Sequence, residues 1–331
     1  MLNQNVIQWL LEENEPSIRY KTLTKLLDYP HNHQDVILAK EAVSNCKNAE
    51  RIFSRRDERG LFPHKPEHYG NWTTFNHLTI LAELGITKDD TRIWPIVDWI
   101  LTPGDDKTEY FVQKDFGYAY ILDEANLGSC GQVKFLSTLV RLGYLDDPRV
   151  KRMIDVFVDK GRFDGGYLCK WKKSKHKSQE PKSCYIATVL ALYLYSVLPE
   201  SYRGGAKYDA LIEYFTSRNM IYSKVEQGKI IADTRLALFD GSLSQILMIT
   251  NSMCKLGLGN IPQMSDVWNI LKNKPQIDGK YILEAANTKK AILMDKPGQP
   301  SKWVTFYALL AEKEKCIYDK CGQVVFTFSE P

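Results

Sequence analysis

The segment LGYLDDPRV, residues 142–150, contains a signal that ends one helix and a signal that begins another. Gly143 can take the left-handed backbone conformation that closes a helix. Asp147 can cap the free N–H groups of a new helix, and Pro148 suits the first turn of that helix. The segment therefore predicts two helices joined by a tight turn, which is a helical hairpin.

The same pattern recurs along the chain. Further Leu-Gly stop signals lie at Gly85 and Gly257, and the apolar residues before them, such as Leu78 and Leu81, follow a helical period. The first helix of each hairpin is expected to begin at intervals of about 57 residues, near Pro16, Trp72, Cys130, Cys184, Gly241 and Ser301.

A glycine turn followed by an aromatic residue precedes several of these helices, ending in Phe62, Tyr167 and Tyr281. A helical repeat that cannot bury its own apolar face must stack on its neighbours. About six hairpins can curve until the two ends of the stack meet. We therefore predict an all-α fold, with residues 1–331 forming one α/α toroid around a central cavity. An open α-solenoid remains the alternative.

Composition excludes several classes of protein. The 331 residues are 44% hydrophobic and 25% charged, which is typical of a globular protein. The formal net charge of +4 is too small to indicate nucleic-acid binding. No apolar stretch is long enough to span a membrane, and no signal peptide is evident. Seven cysteines without a secretory signal indicate reduced thiols, so a cytoplasmic protein is expected.

Three segments carry a resemblance to a known family: Asp164-Gly165-Gly166-Tyr167, residues 142–150, and Lys182-Ser183-Cys184-Tyr185 at the start of a helix. Together they resemble the terpenoid cyclase and protein prenyltransferase superfamily, which includes squalene cyclase, and in particular its small bacterial prenyltransferase-like members. The resemblance implies an α/α toroid whose cavity binds an isoprenoid or another apolar substrate, and a zinc ion that activates a substrate thiol.

Three cysteines are candidate zinc ligands. Cys130 and Cys184 begin two successive leading helices, and Cys169 lies in the connection to the second of them. Helix N-termini favour the thiolate form that binds zinc, and a tetrahedral site takes a fourth ligand, for which His176 is nearby. The resemblance likewise implies a zinc ligand at Cys184. Simple burial of the three thiols is the alternative.

The rest of the predicted site consists of aromatic and basic residues. An apolar substrate would be lined by residues in the first turns of the leading helices, namely Trp72, His77, Tyr185 and Trp303. A diphosphate would be bound by the lysines of the loop before Cys184, namely Lys172, Lys173 and Lys175. Core packing of the aromatic residues and a solvated lysine loop are the alternatives.

Two other functions compete with this one. The chain has no Asp-x-Asp-Asp motif, which argues against cyclisation by direct protonation. A carbohydrate-active α/α-barrel enzyme would need two carboxylates at the starts of the inner helices, and the candidates are Asp123, Glu124, Asp164 and Asp240. The other competing function is that of a non-catalytic binding or scaffold module of the α-solenoid type.

Overall fold

The structure is a computed structural model that describes residues 3–62, 73–102, 130–168, 182–239, 242–286 and 294–320. These residues are mostly helical, as predicted. We use the term leading helices for the first helix of each hairpin, and following helices for the second. The leading helices are α2 (Pro16–Lys21, continued by a π-helical turn, Thr22–Leu26), α5 (Thr73–Leu84), α7 (Cys130–Arg141), α9 (Tyr185–Val197), α11 (Gln245–Lys255) and α13 (Lys302–Lys320).

The following helices are shorter on average and lie between the leading ones in sequence. They are α3 (Gln34–Ser44), α6 (Trp94–Leu101), α8 (Pro148–Asp159), α10 (Ala206–Thr216) and α12 (Ser265–Lys272), with two further helices α1 (Gln4–Leu10) and α4 (Lys47–Phe53). The leading helices begin close to the predicted positions.

Capping signals define the hairpin joints as the sequence predicted. Gly143, with φ of 92°, closes α7, and the N–H of Tyr144 donates to Leu139 O at 3.0 Å. The Asp147 carboxylate then accepts the N–H of Arg149 at 2.9 Å and caps α8. A side chain in place of Gly143 would be strained there, because L-residues rarely adopt this conformation. The joint between α7 and α8 is therefore short and fixed.

The leading helices pack against one another in a fixed order. Helix α5 packs on α7, α7 on α9, α9 on α11 and α11 on α13. Helix α13 packs in turn on α2 and its π-helical turn. Lys21 of α2 and Glu83 of α5 form an ion pair at 3.6 Å. Contacts therefore pass from the first leading helix to the last and back to the first.

These helices run in the same direction, because contacting pairs advance together along both partners. Between α5 and α7, Asn76 lies against Lys134, and Glu83 forms an ion pair with Arg141. We call the end at which the leading helices begin the N-end and the end at which they finish the C-end. A connection that ends at the start of a leading helix, such as the one before Tyr185, reaches the N-end, whereas the short connection of residues 142–147 lies at the C-end.

Short strands occur only in the connections of the second half of the described chain. In one sheet, β1 (Ala237–Phe239) pairs antiparallel with β2 (Ser242–Leu243) and parallel with β5 (Ala285–Ala286). Leu238 lies opposite Leu243 on one side and Ala286 on the other. A second ladder joins β3 (Gln276–Ile277) to β4 (Lys280–Tyr281) with Gln276 opposite Tyr281. These strands shape the connections that lead to α11 and α13.

One large hydrophobic core extends through the hairpins, and a small second cluster consists of Leu23, Val36 and Ala39. The largest fully buried side chains of the large core lie on both leading and following helices, as expected when each hairpin buries its apolar face against its neighbours. No helix among the described residues is long and apolar enough to cross a membrane.

Candidate active site

The centre of the leading-helix layer contains a buried ion-pair network. The Glu83 side chain is only 2% exposed and forms ion pairs with Arg141 and Lys21. The Tyr307 hydroxyl donates a hydrogen bond to the same carboxylate. These four residues come from α5, α7, α2 and α13, so the network joins helices that are distant in sequence. Buried charges are tolerated in a protein when they are paired in this way.

The partners determine the charge state of each group. Burial alone would raise the pKa of Glu83, but the positive charges of Arg141 and Lys21 outweigh it and lower the pKa to about 2. Burial lowers the pKa of Lys21 to about 8, even though Glu83 opposes this shift. Burial and the Glu83 charge raise the pKa of the Tyr307 hydroxyl well above its usual value. At neutral pH the network therefore holds one carboxylate and two cations.

Little empty space remains beside this network. A narrow cavity of about 10 Å³ is lined by residues of α5, α7, α9, β2 and α11, among them Thr79, Glu83 and Arg141. A cavity of this size holds about one water molecule. The residues that line this cavity beside Glu83 and Arg141 are mostly polar or charged, so this cavity does not suit an isoprenoid chain.

A second group of titratable residues lies at the N-end, between the starts of α2 and α13. Glu15 directly precedes α2, and Asp295 lies in the connection that leads to α13. The Asp295 carboxylate accepts the Ser301 hydroxyl at 2.6 Å, and the backbone N–H groups of Lys302 and Trp303 also lower its pKa. Asp295 therefore caps the last leading helix while its charge acts on Glu15.

The Glu15 carboxyl has the more unusual environment. Burial, followed by the negative charge of Asp295, raises its pKa to about 7, and opposing contributions from the Trp303 indole and the Lys302 ammonium are smaller. Burial likewise raises the pKa of Asp295. Two carboxyls with raised pKa values in one place are a functional-site signal, because catalytic acids need a proton at neutral pH.

Trp303 connects the two groups. Its side chain is fully buried next to Glu15, and the Lys21 ammonium lies 5.8 Å from the centre of its ring. Lys21 also forms an ion pair with Glu83, and its ammonium lies 5.7 Å from the centre of the Tyr307 ring. The contacts therefore run from the N-end carboxyls through Trp303 into the central network.

His77, a predicted pocket residue, is buried in the first half of α5. Its Nε2 lies 3.1 Å from Nη1 of Arg55, and the ring of Phe62 meets it edge-on with centroids 4.7 Å apart. Its Nδ1 is buried without a hydrogen-bond partner among the described residues. Burial, reinforced by the Arg55 charge, lowers the pKa of His77 to about 4. His77 is thus a neutral imidazole at the N-end.

Tyr185 and Trp303 are both buried, but they face different surroundings. The Tyr185 hydroxyl donates to the Met220 carbonyl at 2.7 Å, and its ring packs near Phe215 of the following helix α10. Trp303 instead lies beside the N-end carboxyls. Trp72 lies outside the described residues. The predicted binding role of these aromatic residues stays a prediction.

The predicted metal and anion ligands lie only partly within the described residues. Cys130 begins α7 and Cys184 precedes α9, and both side chains are partly exposed. The described residues contain no group of three or more His, Cys, Asp or Glu side chains that could hold a metal ion. The remaining candidates lie outside the described residues, namely Cys169, Lys172, Lys173, Lys175 and His176. The three-cysteine zinc site therefore stays a prediction.

Of the predicted carboxylates, Asp164 is the one that the structure describes. It accepts the Ser183 hydroxyl at 2.6 Å and the Gly166 N–H at 3.1 Å, so it stabilises the turn before α9. Asp123, Glu124 and Asp240 lie outside the described residues.

Glu83 in the central network and the N-end carboxyls Glu15 and Asp295 were not predicted from the sequence. A signal for the network does exist, because Asn76, Thr79 and Glu83 share one face of α5. Their partners lie one repeat later: Glu83 and Arg141 are 58 residues apart, as are Asn76 and Lys134, and Thr79 and Thr138 are 59 apart. Polar residues at equivalent positions of successive repeats therefore mark an inward-facing polar stripe.

Comparison with known proteins gives one informative match. No family model and no curated protein matches the chain. Among solved structures, a glycosyl hydrolase family 88 protein from Bacteroides vulgatus is similar over 92% of this chain and 91% of that chain, with a TM-score of 0.50 and 14% sequence identity. A likeness at this low identity concerns the fold.

This match corrects the predicted family. The resemblance to the terpenoid cyclase and prenyltransferase superfamily is wrong, because the structural likeness is to a glycosyl hydrolase. The segments that carried it form the hairpin joint at Gly143 and Asp147 and the turn at Asp164. Such joints occur wherever helical hairpins repeat, and they carry no chemistry of their own. The likeness fits the alternative of a carbohydrate-active α/α-barrel enzyme better than a prenyltransferase-like protein.

Proposed function

We propose that the chain is a carbohydrate-active enzyme built on a closed α/α toroid, with its active site at the N-end. Two observations support closure: the packing order that returns from α13 to α2, and the Lys21–Glu83 ion pair that links α2 to α5. The likeness to a glycosyl hydrolase supports the choice of chemistry. The location at the N-end follows from the long connections there, because functional residues concentrate in loops held by a rigid scaffold.

The observation that carries this proposal is the Glu15 carboxyl. Cleavage of a glycosidic bond needs an acid that protonates the leaving oxygen. With its pKa raised to about 7, Glu15 retains a proton in a large fraction of molecules at neutral pH and is a proton donor of matched strength. Asp295 acts through Glu15, because its negative charge helps to hold the proton there.

Hydrolysis assays test the role of Glu15. The purified protein is offered a panel of 4-nitrophenyl glycosides and unsubstituted oligosaccharides, and the rate is followed from pH 4 to pH 9. We expect Glu15→Gln to lower kcat on the cleaved substrate about 10²- to 10⁴-fold, because it removes the acid without changing the shape of the side chain. Asp295→Asn is expected to move the alkaline limb of the pH profile to lower pH.

Glu13→Gln is the matched control, because Glu13 lies two residues away in the same segment and its side chain is 87% exposed. It should leave the rate unchanged. The proposal is wrong if no glycoside of the panel is cleaved, or if Glu15→Gln retains the rate and pH profile of the unaltered protein.

A further inference from the structure

A separate cleft lies at the C-end, opposite the N-end carboxyls. It has a volume of about 720 Å³, within the range of small-molecule sites. Its apolar lining residues come from the last turns of α7 and α9 and the segments that follow them, namely Val140, Leu145, Val197, Leu198 and Pro199. The other residues that line it are polar, namely Ser196, Arg203, Lys255 and Glu314.

Arg203 and Glu314, which line the cleft, each have a buried polar atom without a hydrogen-bond partner among the described residues. Nη1 of Arg203 donates to the Lys255 carbonyl at 3.4 Å, but its buried Nε has no partner in the part of the chain that the structure describes. Oε2 of Glu314 is also buried without a partner among those residues. An unsatisfied buried acceptor on a charged group costs free energy. A ligand donor in the cleft would recover this free energy when the Glu314 side chain turns its carboxylate towards the cleft.

The charge around the cleft favours an anion. Burial lowers the pKa of Lys255, and the nearby Arg141 and Lys25 cations lower it further, whereas Glu314 raises it. Burial raises the pKa of Glu314 in turn. Glu314 and Glu83 are thus the acidic influences on Lys255, and Arg141 and Lys25 are the basic ones. Arg203 adds a further cation to the lining of the cleft.

We propose that this cleft is a binding site for a small aliphatic carboxylic acid that also carries an O–H or N–H donor beside its carboxylate. The carboxylate is bound by Arg203 and Lys255, the donor hydrogen-bonds to Glu314, and the aliphatic part packs on Val140 and Val197. A planar guanidinium and a nearby ammonium suit a carboxylate. The site lies at the opposite end from Glu15 and does not depend on the proposed hydrolytic activity.

Isothermal titration of the full chain with four probes tests each contact. Leucine and 2-hydroxyisocaproate both carry the carboxylate and the aliphatic group; leucine adds an N–H donor and 2-hydroxyisocaproate an O–H donor. At least one of them should bind saturably, and comparison of the two tells which donor is preferred. 4-Methylpentanoate, which lacks the donor, and leucinamide, which lacks the carboxylate, should each bind at least about tenfold more weakly.

Two variants locate the binding. Arg203→Gln should weaken binding of the better probe about tenfold or more, and Glu314→Gln should remove the advantage of that probe over 4-methylpentanoate. Arg235→Gln is the matched control, because Arg235 is an exposed arginine whose partner is Asp233, and it should bind like the unaltered protein. Absence of saturable binding by both donor-carrying probes overturns the proposal, as does unchanged binding by both cleft variants when circular dichroism shows that they are folded.

Discussion

Glu83 is a buried carboxyl and Glu15 a partly buried one, and their pKa values shift in opposite directions. The pKa of Glu83 falls to about 2 because Arg141 and Lys21 surround it. The pKa of Glu15 rises to about 7 because of burial and, as the next largest cause, the negative charge of Asp295. Burial disfavours the charged form in both places, so the neighbouring charges decide the outcome. The first carboxyl is a structural anion and the second is suited to hold a proton.

Removal of the Glu83 charge should have the largest effect. Glu83→Gln leaves Lys21 and Arg141 buried without their counter-ion, so we expect the free energy of unfolding to fall by about 3–5 kcal/mol. Urea denaturation monitored by circular dichroism measures the change. Glu50→Gln is the matched control, because Glu50 pairs with Arg92 at the surface with its side chain 54% exposed, and it should cost no more than about 1 kcal/mol. Equal losses in the two variants would mean that the central network contributes no more than a surface pair.

The pH dependence of stability should also separate the two carboxyls. The pKa of Glu15 in the folded chain is above its usual value of 4.5, so the folded state binds more protons between pH 4.5 and about 7. The contribution of Glu15 to the free energy of unfolding is therefore largest below pH 4.5 and is lost as pH rises through about 7. The loss is at most about 3 kcal/mol. Glu83 behaves in the opposite way: its contribution is complete above pH 4.5 and is lost as pH falls towards about 2.

Urea denaturation of the unaltered chain and of Glu15→Gln at pH 5 and pH 8 measures the first of these effects. The loss of stability between the two pH values should be smaller in the variant, because glutamine does not titrate. Glu13→Gln, at the exposed neighbouring position, should keep the loss of the unaltered chain. An identical pH dependence in all three proteins would show that the Glu15 pKa is not raised.

The smallest effect concerns the hydroxyl that completes the central network. Tyr307→Phe removes the hydrogen bond to the Glu83 carboxylate and should lower the free energy of unfolding by about 1.5–3 kcal/mol, as is usual for a hydrogen bond to a charged group. The same substitution at Tyr29, which is 38% exposed, should change it by less than about 0.5 kcal/mol. Thermal and urea denaturation both measure this difference, and a cost at Tyr307 no larger than that at Tyr29 would contradict it.

The order of helices could be predicted from the sequence because its signals are local. The glycines at 85, 143 and 257 have φ values of 102°, 92° and 78°, and each closes a leading helix as expected. The central network could not be predicted in the same way, because Lys21, Glu83 and Tyr307 meet only when the first and last leading helices pack together. Glu83 and Arg141 are 58 residues apart, about one repeat, and this spacing is visible in the sequence. The helices were predicted from the period of their apolar residues, and that period gives no information about charged positions.

The N-end pair was missed for a related reason. Glu15 and Asp295 are separated by most of the chain, and neither lies in a motif. Asp164 was found because its Gly-Gly turn is a local pattern, and the structure shows it stabilising that turn. A local sequence signal thus identified Asp164, a carboxylate that stabilises a turn. The raised pKa of Glu15 depends on packing between distant segments, which no local signal reveals.

The ion pairs at the centre also limit how a substrate could travel. The cavity beside Glu83 and Arg141 has room for about one water molecule among the described residues. If the N-end holds the active site proposed above, a sugar chain bound there would find no passage between these two side chains towards the C-end.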